Sequence, residues 1–178
     1  MKITKKETAY KGHYQLQVYT VQNGQEEFKR EVFQTGVAAA ALVFDTAQQK
    51  FILAKQYRPA VEQDMVEVVA GMLDSQDEKP EDAITREIEE EIGYAVDKLE
   101  FISEFYPSPG ACSEKIVLFY AEVSHQVNEG GGKDDEHESI QSILYSPKEL
   151  AENVFNDGKT FMAVQWAKAN ILPTLAQK

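Results

Sequence analysis

Four carboxylates, Glu87, Glu89, Glu90 and Glu91, crowd into the nine residues TREIEEEIG at positions 85–93. Ile84, Ile88 and Ile92 recur every four residues, so the stretch reads as a helix with one apolar stripe. At about 100° per residue, Glu87, Glu90 and Glu91 fall near about 0°, 300° and 40°, a single narrow sector. Glu89 points the opposite way. Like charges at i,i+4 oppose a helix by roughly 0.2–0.5 kcal/mol per pair, so the crowding brings no structural gain. A solvated acidic face would tolerate it. It also has a chemical use, because Mg²⁺ and Mn²⁺ prefer hard oxygen ligands and three carboxylates on one face can hold two or more ions.

The frame that must position this sector is a chain of 178 residues, long enough for one domain with a substantial core. An apolar fraction of 43% and 10% aromatic residues fit a globular protein and exclude a disordered one. The formal net charge of −12 argues against a nucleic-acid partner, since phosphate backbones demand basic surface. An acidic protein acting on an anionic substrate needs something to offset the repulsion, and bound divalent cations would do so. Cys112 is the only cysteine, which excludes an intramolecular disulfide. No apolar stretch is long enough for a signal peptide or a membrane span, so no membrane partner and a cytoplasmic location are expected.

Hydrophobic periodicity lays out the elements. HYQLQVYT (13–20) and EEFKREVF (26–33) alternate as strands around Asn23-Gly24, a strong hairpin-turn signal. GVAAAALVF (36–44) is continuously apolar and reads as a central strand, with KFILAKQY (50–57) and MVEVV (65–69) beside it. Pro80 suits the first position of the acidic helix, Glu81 and Asp82 its positive end, and Gly93 its stop. KLEFISEF (98–105), KIVLFYAEV (115–123) and a segment near SIQSILYS are further strands, and two helices end the chain, around PKELAENVF and GKTFMAVQWAKANI. Mixed strands with helices before and after them predict an α/β fold, an α/β/α sandwich.

Gly71, Glu78, Arg86-Glu87, Glu90-Glu91 and Gly93 form a spaced pattern, GMLDSQDEKPEDAITREIEEEIGY. It resembles the signature of the Nudix hydrolase family: glycine, five residues, glutamate, seven residues, then Arg-Glu-aliphatic-any-Glu-Glu-any-Gly. Here six residues separate Gly71 from Glu78, one more than the family pattern, and the remaining spacing fits. The extra residue sits in a loop, where insertions are cheap. The resemblance implies a Nudix sandwich with a mixed central sheet over residues 36–178. It also implies N-terminal strands over 1–35, a β-hairpin region serving as dimerisation surface and substrate lip. It implies metal ligation by Glu87, Glu90, Glu91 and the main-chain carbonyl of Ala70, a catalytic part for Glu87, and a supporting ion pair between Arg86 and Glu78. The expected cofactor is Mg²⁺ or Mn²⁺, two or more ions.

Outside the signature, EVVAG (67–71), SPGACSE around Pro109, and KQYRP (55–59) look like ADP-ribose pyrophosphatases. By that likeness Arg58, Glu31, Glu67 and Pro109 would face the substrate. Arg58 also reads as an ordinary surface arginine and Glu31 as an ordinary strand glutamate. The acidic loop GGGKDDEHESI resembles the loop that presents a general base in these enzymes, with Glu136 as the base and Glu138 as its neighbour near the metals. Asp134 and Asp135 compete for that part, and a solvated acidic turn is the plain alternative. Ser139 departs from the acid that relatives often carry there. His13, His125 and His137 are scattered without ligand spacing and read as non-catalytic, and Cys112 has no nucleophile motif.

The expected activity is hydrolysis of a nucleoside diphosphate sugar, ADP-ribose first, to AMP and ribose 5-phosphate, by a homodimer. GGGKDDE and NDGKT (156–160) also look like GDP-mannose pyrophosphatases, and UDP-sugar hydrolases share the triple glycine. A non-hydrolytic ligand sensor is the reading from another class. Such sensors usually lose the carboxylates that stand here.

Overall fold

A computed structural model describes residues 1–75, 77–132 and 139–175, which divide into two compact units. The first comprises Met1–Val37 and Phe105–Lys115. Its three strands, β1 (Lys2–Lys11), β2 (Gln15–Asn23) and β3 (Glu26–Gln34), form an antiparallel sheet in that order. β2 and β3 are the expected hairpin. Asn23 pairs with Glu26, so the turn residues are Gly24 and Gln25 rather than Asn23-Gly24, and Gly24 takes φ 63°. β1 is an addition that the periodicity did not announce: every residue in it is exposed. The loop at 105–115 is stitched to the end of β3. Phe33 N–H donates to the Ala111 carbonyl at 2.8 Å, and Ser113 N–H donates to the Phe33 carbonyl at 3.0 Å.

The second unit, Ala38–Glu104 and Ile116–Lys178, holds the core. Its seven-stranded sheet runs β10 (Gln141–Tyr145), β5 (Lys50–Arg58), β4 (Val37–Asp45), β9 (Lys115–Gln126), β8 (Tyr94–Phe105). Ala38 to Asp45 are buried without a break, so β4 is covered on both faces, as a central strand of a layered sandwich must be. The helices α1 (Pro80–Ile92), α2 (Pro147–Glu152), α3 (Gly158–Asn170) and α4 (Leu172–Leu175) supply the α layers of this α/β fold.

The sheet has a split. β4 and β5 pair from Asp45↔Lys50 to Val43↔Ile52 and then part. The segment expected as one strand at 65–69 fills the gap as two, β6 (Gln63–Glu67) on β5 and β7 (Val69–Met72) on β4. Val68 is the point of exchange. Its N–H leaves the ladder for the Thr160 hydroxyl, 2.8 Å away on α3. The split places Ala70 and Gly71 in β7, the strand on which α1 packs.

α1 begins and ends where its sequence directs. Pro80 is first, Glu81 and Asp82 lie in the first turn, and Gly93 closes it in the left-handed region at φ 78°. Ile84, Ile88 and Ile92 are fully buried, each contributing roughly 1.5–3 kcal/mol. That burial must offset a helix end with no basic residue in its last turn and three glutamates beside its negative dipole. The last-turn carbonyls find other donors: Gly131 N–H reaches the Glu91 carbonyl at 2.8 Å and Gly132 N–H the Glu90 carbonyl at 3.1 Å. α2 stops at Glu152, short of the expected end, while Ser146 and Glu149 form a capping box at its start.

Candidate active site

Glu87 stands against the backbone of Gly71. A Cβ built on Gly71 would lie 2.0 Å from Glu87 Oε1, so glycine is what lets this carboxylate approach β7 beside Ala70. Glu91 is almost wholly buried, Glu87 and Glu90 are partly so, and Glu89 is exposed. The sector drawn from helical geometry is therefore present. Glu87, which stands against β7, Glu90 and Glu91 show graded burial, while Glu89 looks to solvent.

Arg86 gathers the acids around it. Its Nη1 donates to Glu87 Oε1 at 2.7 Å and to Glu90 Oε2 at 3.1 Å. The expected partner Glu78 is reached at 3.4 Å from Nε, with Asp74 at 3.5 Å. Glu78 in turn accepts the Asp74 N–H at 2.5 Å, folding the glycine-to-glutamate loop back on itself. Burial alone would lower the Arg86 pKa, but Glu87, Asp74 and Glu90 outweigh it and hold the guanidinium charged above its ordinary range. Among the described residues, no three His, Cys, Asp or Glu side chains converge as ligands of one ion. The donor chemistry still suits a hard divalent cation: carboxylate oxygens on a rigid helix, one brought close to the β7 backbone at a glycine.

A second cluster lies at the ends of β5 and β6. Arg58 grips the buried Glu67 with both prongs, Nε to Oε1 at 2.7 Å and Nη2 to Oε2 at 2.8 Å. Lys159, in the first turn of α3, bonds the same Oε2 and stands 3.2 Å from Asp157. Asp157 caps α3 by accepting the Thr160 N–H at 2.9 Å and the Thr160 hydroxyl at 2.6 Å. Burial pushes the Glu67 carboxyl up, but Arg58 and Lys159 more than reverse it, to about 2. Arg58 is raised by its bond to Glu67 and, more distantly, by the charge of Glu91. That influence of Glu91 sets the cluster within electrostatic reach of the acidic helix.

The remaining expected residues belong to the first unit or lie outside the described residues. Glu31 lies exposed on β3 and Pro109 lies in the 105–115 loop, both in the first unit. Glu136, Glu138, Asp134, Asp135 and His137 fall outside the described residues. His13 sits edge-on to Tyr14, and Cys112 Sγ lies 3.8 Å from the Thr35 hydroxyl. Lys159, Asp157 and Thr160 were not among the candidates. Their signal was the NDGKT motif, whose lysine meets Glu67 only because the chain returns 92 residues later.

Comparison with known proteins gives this geometry a setting. The profile of the NUDIX domain matches residues 34–165. The GDP-mannose pyrophosphatase of Cronobacter sakazakii (strain ATCC BAA-894) is 35% identical, over 77% of this chain and 76% of that protein. The ADP-ribose pyrophosphatase of Escherichia coli O157:H7 is 31% identical over 93% of this chain and 87% of its own length. A solved structure described as "Crystal structure of ADP compounds hydrolase" superposes with a TM-score of 0.76 over 96% of both chains. At 20% identity, that likeness concerns the fold alone. No helix among the described residues is long and apolar enough to cross a membrane.

Proposed function

The chain belongs to the Nudix family, and from that membership we propose that it hydrolyses the diphosphate of a nucleoside diphosphate sugar, with ADP-ribose giving AMP and ribose 5-phosphate as the first substrate. The observation that carries this reading is the acidic face of α1, with Glu87 seated against Gly71 and Glu91 buried behind it. A ligand sensor would have no need to keep that many carboxylates together. Glu87, Glu90, Glu91 and the Ala70 carbonyl would hold Mg²⁺ or Mn²⁺, two or more ions. Such ions, when bound, neutralise the diphosphate and make a coordinated water acidic.

The remaining chemistry belongs to side chains. Arg86 positions the carboxylates by pairing with Glu87, Glu90 and Glu78. Arg58 binds the diphosphate or the terminal ribose through the guanidinium nitrogen that Glu67 does not occupy, and Glu67 forms the wall behind it. Glu31 serves the nucleobase side, and Pro109 faces the substrate. Glu136 removes the proton of the attacking water, with Glu138 next to it. The protein works as a homodimer, and a cytoplasmic location accords with the lone cysteine.

GDP-mannose is the second reading, favoured by the 35% identity to a GDP-mannose pyrophosphatase and by NDGKT at the start of α3. One screen separates the two. With excess Mg²⁺, kcat/KM is measured for ADP-ribose, GDP-mannose, UDP-glucose and dinucleotides. ADP-ribose at the head supports the first reading, GDP-mannose at the head replaces it with the second, and turnover of none of them sinks both.

A further inference from the structure

Glu67 is buried between two cations that come from distant parts of the chain, Arg58 at the end of β5 and Lys159 in the first turn of α3. Thr160, beside Lys159, is fully buried, and its hydroxyl links Asp157 to the N–H of Val68, the residue after Glu67. The turn Asp157-Gly158-Lys159-Thr160 thus holds this strand corner twice, once through the Glu67 carboxylate and once through the backbone. We infer that this turn is a positioning device for Arg58: Lys159 fixes Glu67, and Glu67 fixes the guanidinium that meets the substrate.

The physical case rests on freedom and burial. Arg58 is 39% exposed on a long side chain that keeps much rotamer freedom when loose. Its forked bond to Glu67 removes that freedom, provided Glu67 itself stays in place. A buried carboxylate held by one partner alone can swing or take up a proton. One held by two cations on opposite elements does neither. The clasp occupies Nε and Nη2 of Arg58, so Nη1 is the nitrogen it presents. Lys159 is 12% exposed and committed to Glu67 and Asp157, which marks it as a positioning residue rather than a second contact.

This inference rests on the reading that Arg58 binds substrate, and a double-mutant cycle tests the two separately. Arg58→Met, Lys159→Met and the double variant are assayed on ADP-ribose with excess Mg²⁺, with thermal midpoints as a check on folding. Each single change should raise KM about ten-fold at nearly constant kcat, and the double should be no worse than the worse single. Lys159→Arg, which keeps a cation on Glu67, should bring KM back to within about three-fold of the parent. A double variant with multiplied effects would overturn the inference, because Lys159 would then act on its own. Unchanged KM in Lys159→Met beside a raised KM in Arg58→Met would overturn it too, while the substrate reading of Arg58 would stand. Unchanged KM in Arg58→Met would end both. Should Lys159→Met fail to fold, the charge-balanced pair Glu67→Gln with Lys159→Met leaves no lone buried carboxylate and is read in the same way.

Discussion

Glu91 and Glu89 are two positions apart and make the sharpest contrast in the molecule. One is almost fully buried and the other is exposed. Replacing Glu91 with Gln should leave the fold intact, with a thermal midpoint equal to the parent's or higher, because repulsion is removed. Hydrolysis should fall by several orders of magnitude. Glu89→Gln should change neither. Full activity in Glu91→Gln, or activity persisting in excess chelator, would remove the metal from the mechanism. This contrast was legible in the sequence, since the 100° step of a helix settles which glutamates share a face. The multiple pairing of Arg86 was less so. Glu78 was the expected partner, yet the shortest contact is to Glu87, one residue along the chain.

At the scale of elements, local pattern foretold what local forces decide. Four-residue isoleucine spacing, Pro80 and Gly93 marked α1, and alternation marked β2 and β3. The break between β6 and β7 was illegible because its cause is remote: Thr160 takes the Val68 N–H from 92 positions away. The Glu67 clasp is hidden for the same reason, and it has a thermodynamic signature. The Glu67 carboxyl lies at about 2 in the folded protein, below its ordinary 4.5. A depressed folded pKa means stabilisation that is fully present above about pH 4.5 and is lost as pH falls toward about 2. The shift corresponds to about 3 kcal/mol. Glu67→Gln should therefore flatten the acid limb of stability, measured by urea unfolding at a series of pH values from 5 downward. Parallel limbs in parent and variant would show that the clasp contributes nothing.

The acidic loop is also a question of elements. Gly131 and Gly132 fasten its root to the carbonyls of Glu91 and Glu90, and Ile140 N–H returns to the Gly131 carbonyl at 3.2 Å. A carboxylate acting as general base contributes proton removal and orientation, typically a factor of roughly 10² to 10⁴. Glu136→Gln should lower kcat by that much with KM and metal affinity little changed, and Glu138→Gln should do less harm. Near-normal kcat in Glu136→Gln with loss in Asp135→Asn would move the base one position. Indifference at all three would leave the loop a solvated turn.

At the scale of the whole molecule, the two units differ in what they bury. The second contains the core; in the first, only Thr20 is buried. β1 exposes all ten of its residues, and Ile3, Tyr10, Tyr14 and Phe33 stand among the exposed large side chains. The sequence pointed here without disclosing β1, whose run KITKKETAYK has no apolar alternation to announce a strand. A three-stranded sheet usually needs a hydrophobic face or a packed partner to persist in water. Long open strand edges are ordinarily paired or covered as well. A second copy of the chain would meet both needs by giving each sheet a neighbour. Sedimentation equilibrium should therefore report twice the mass of one chain. Substituting Ile3 and Tyr10 together with charged residues should shift that mass toward a single chain and lower hydrolysis with it. A parent protein that sediments as one chain and is fully active would show that the sheet needs no partner.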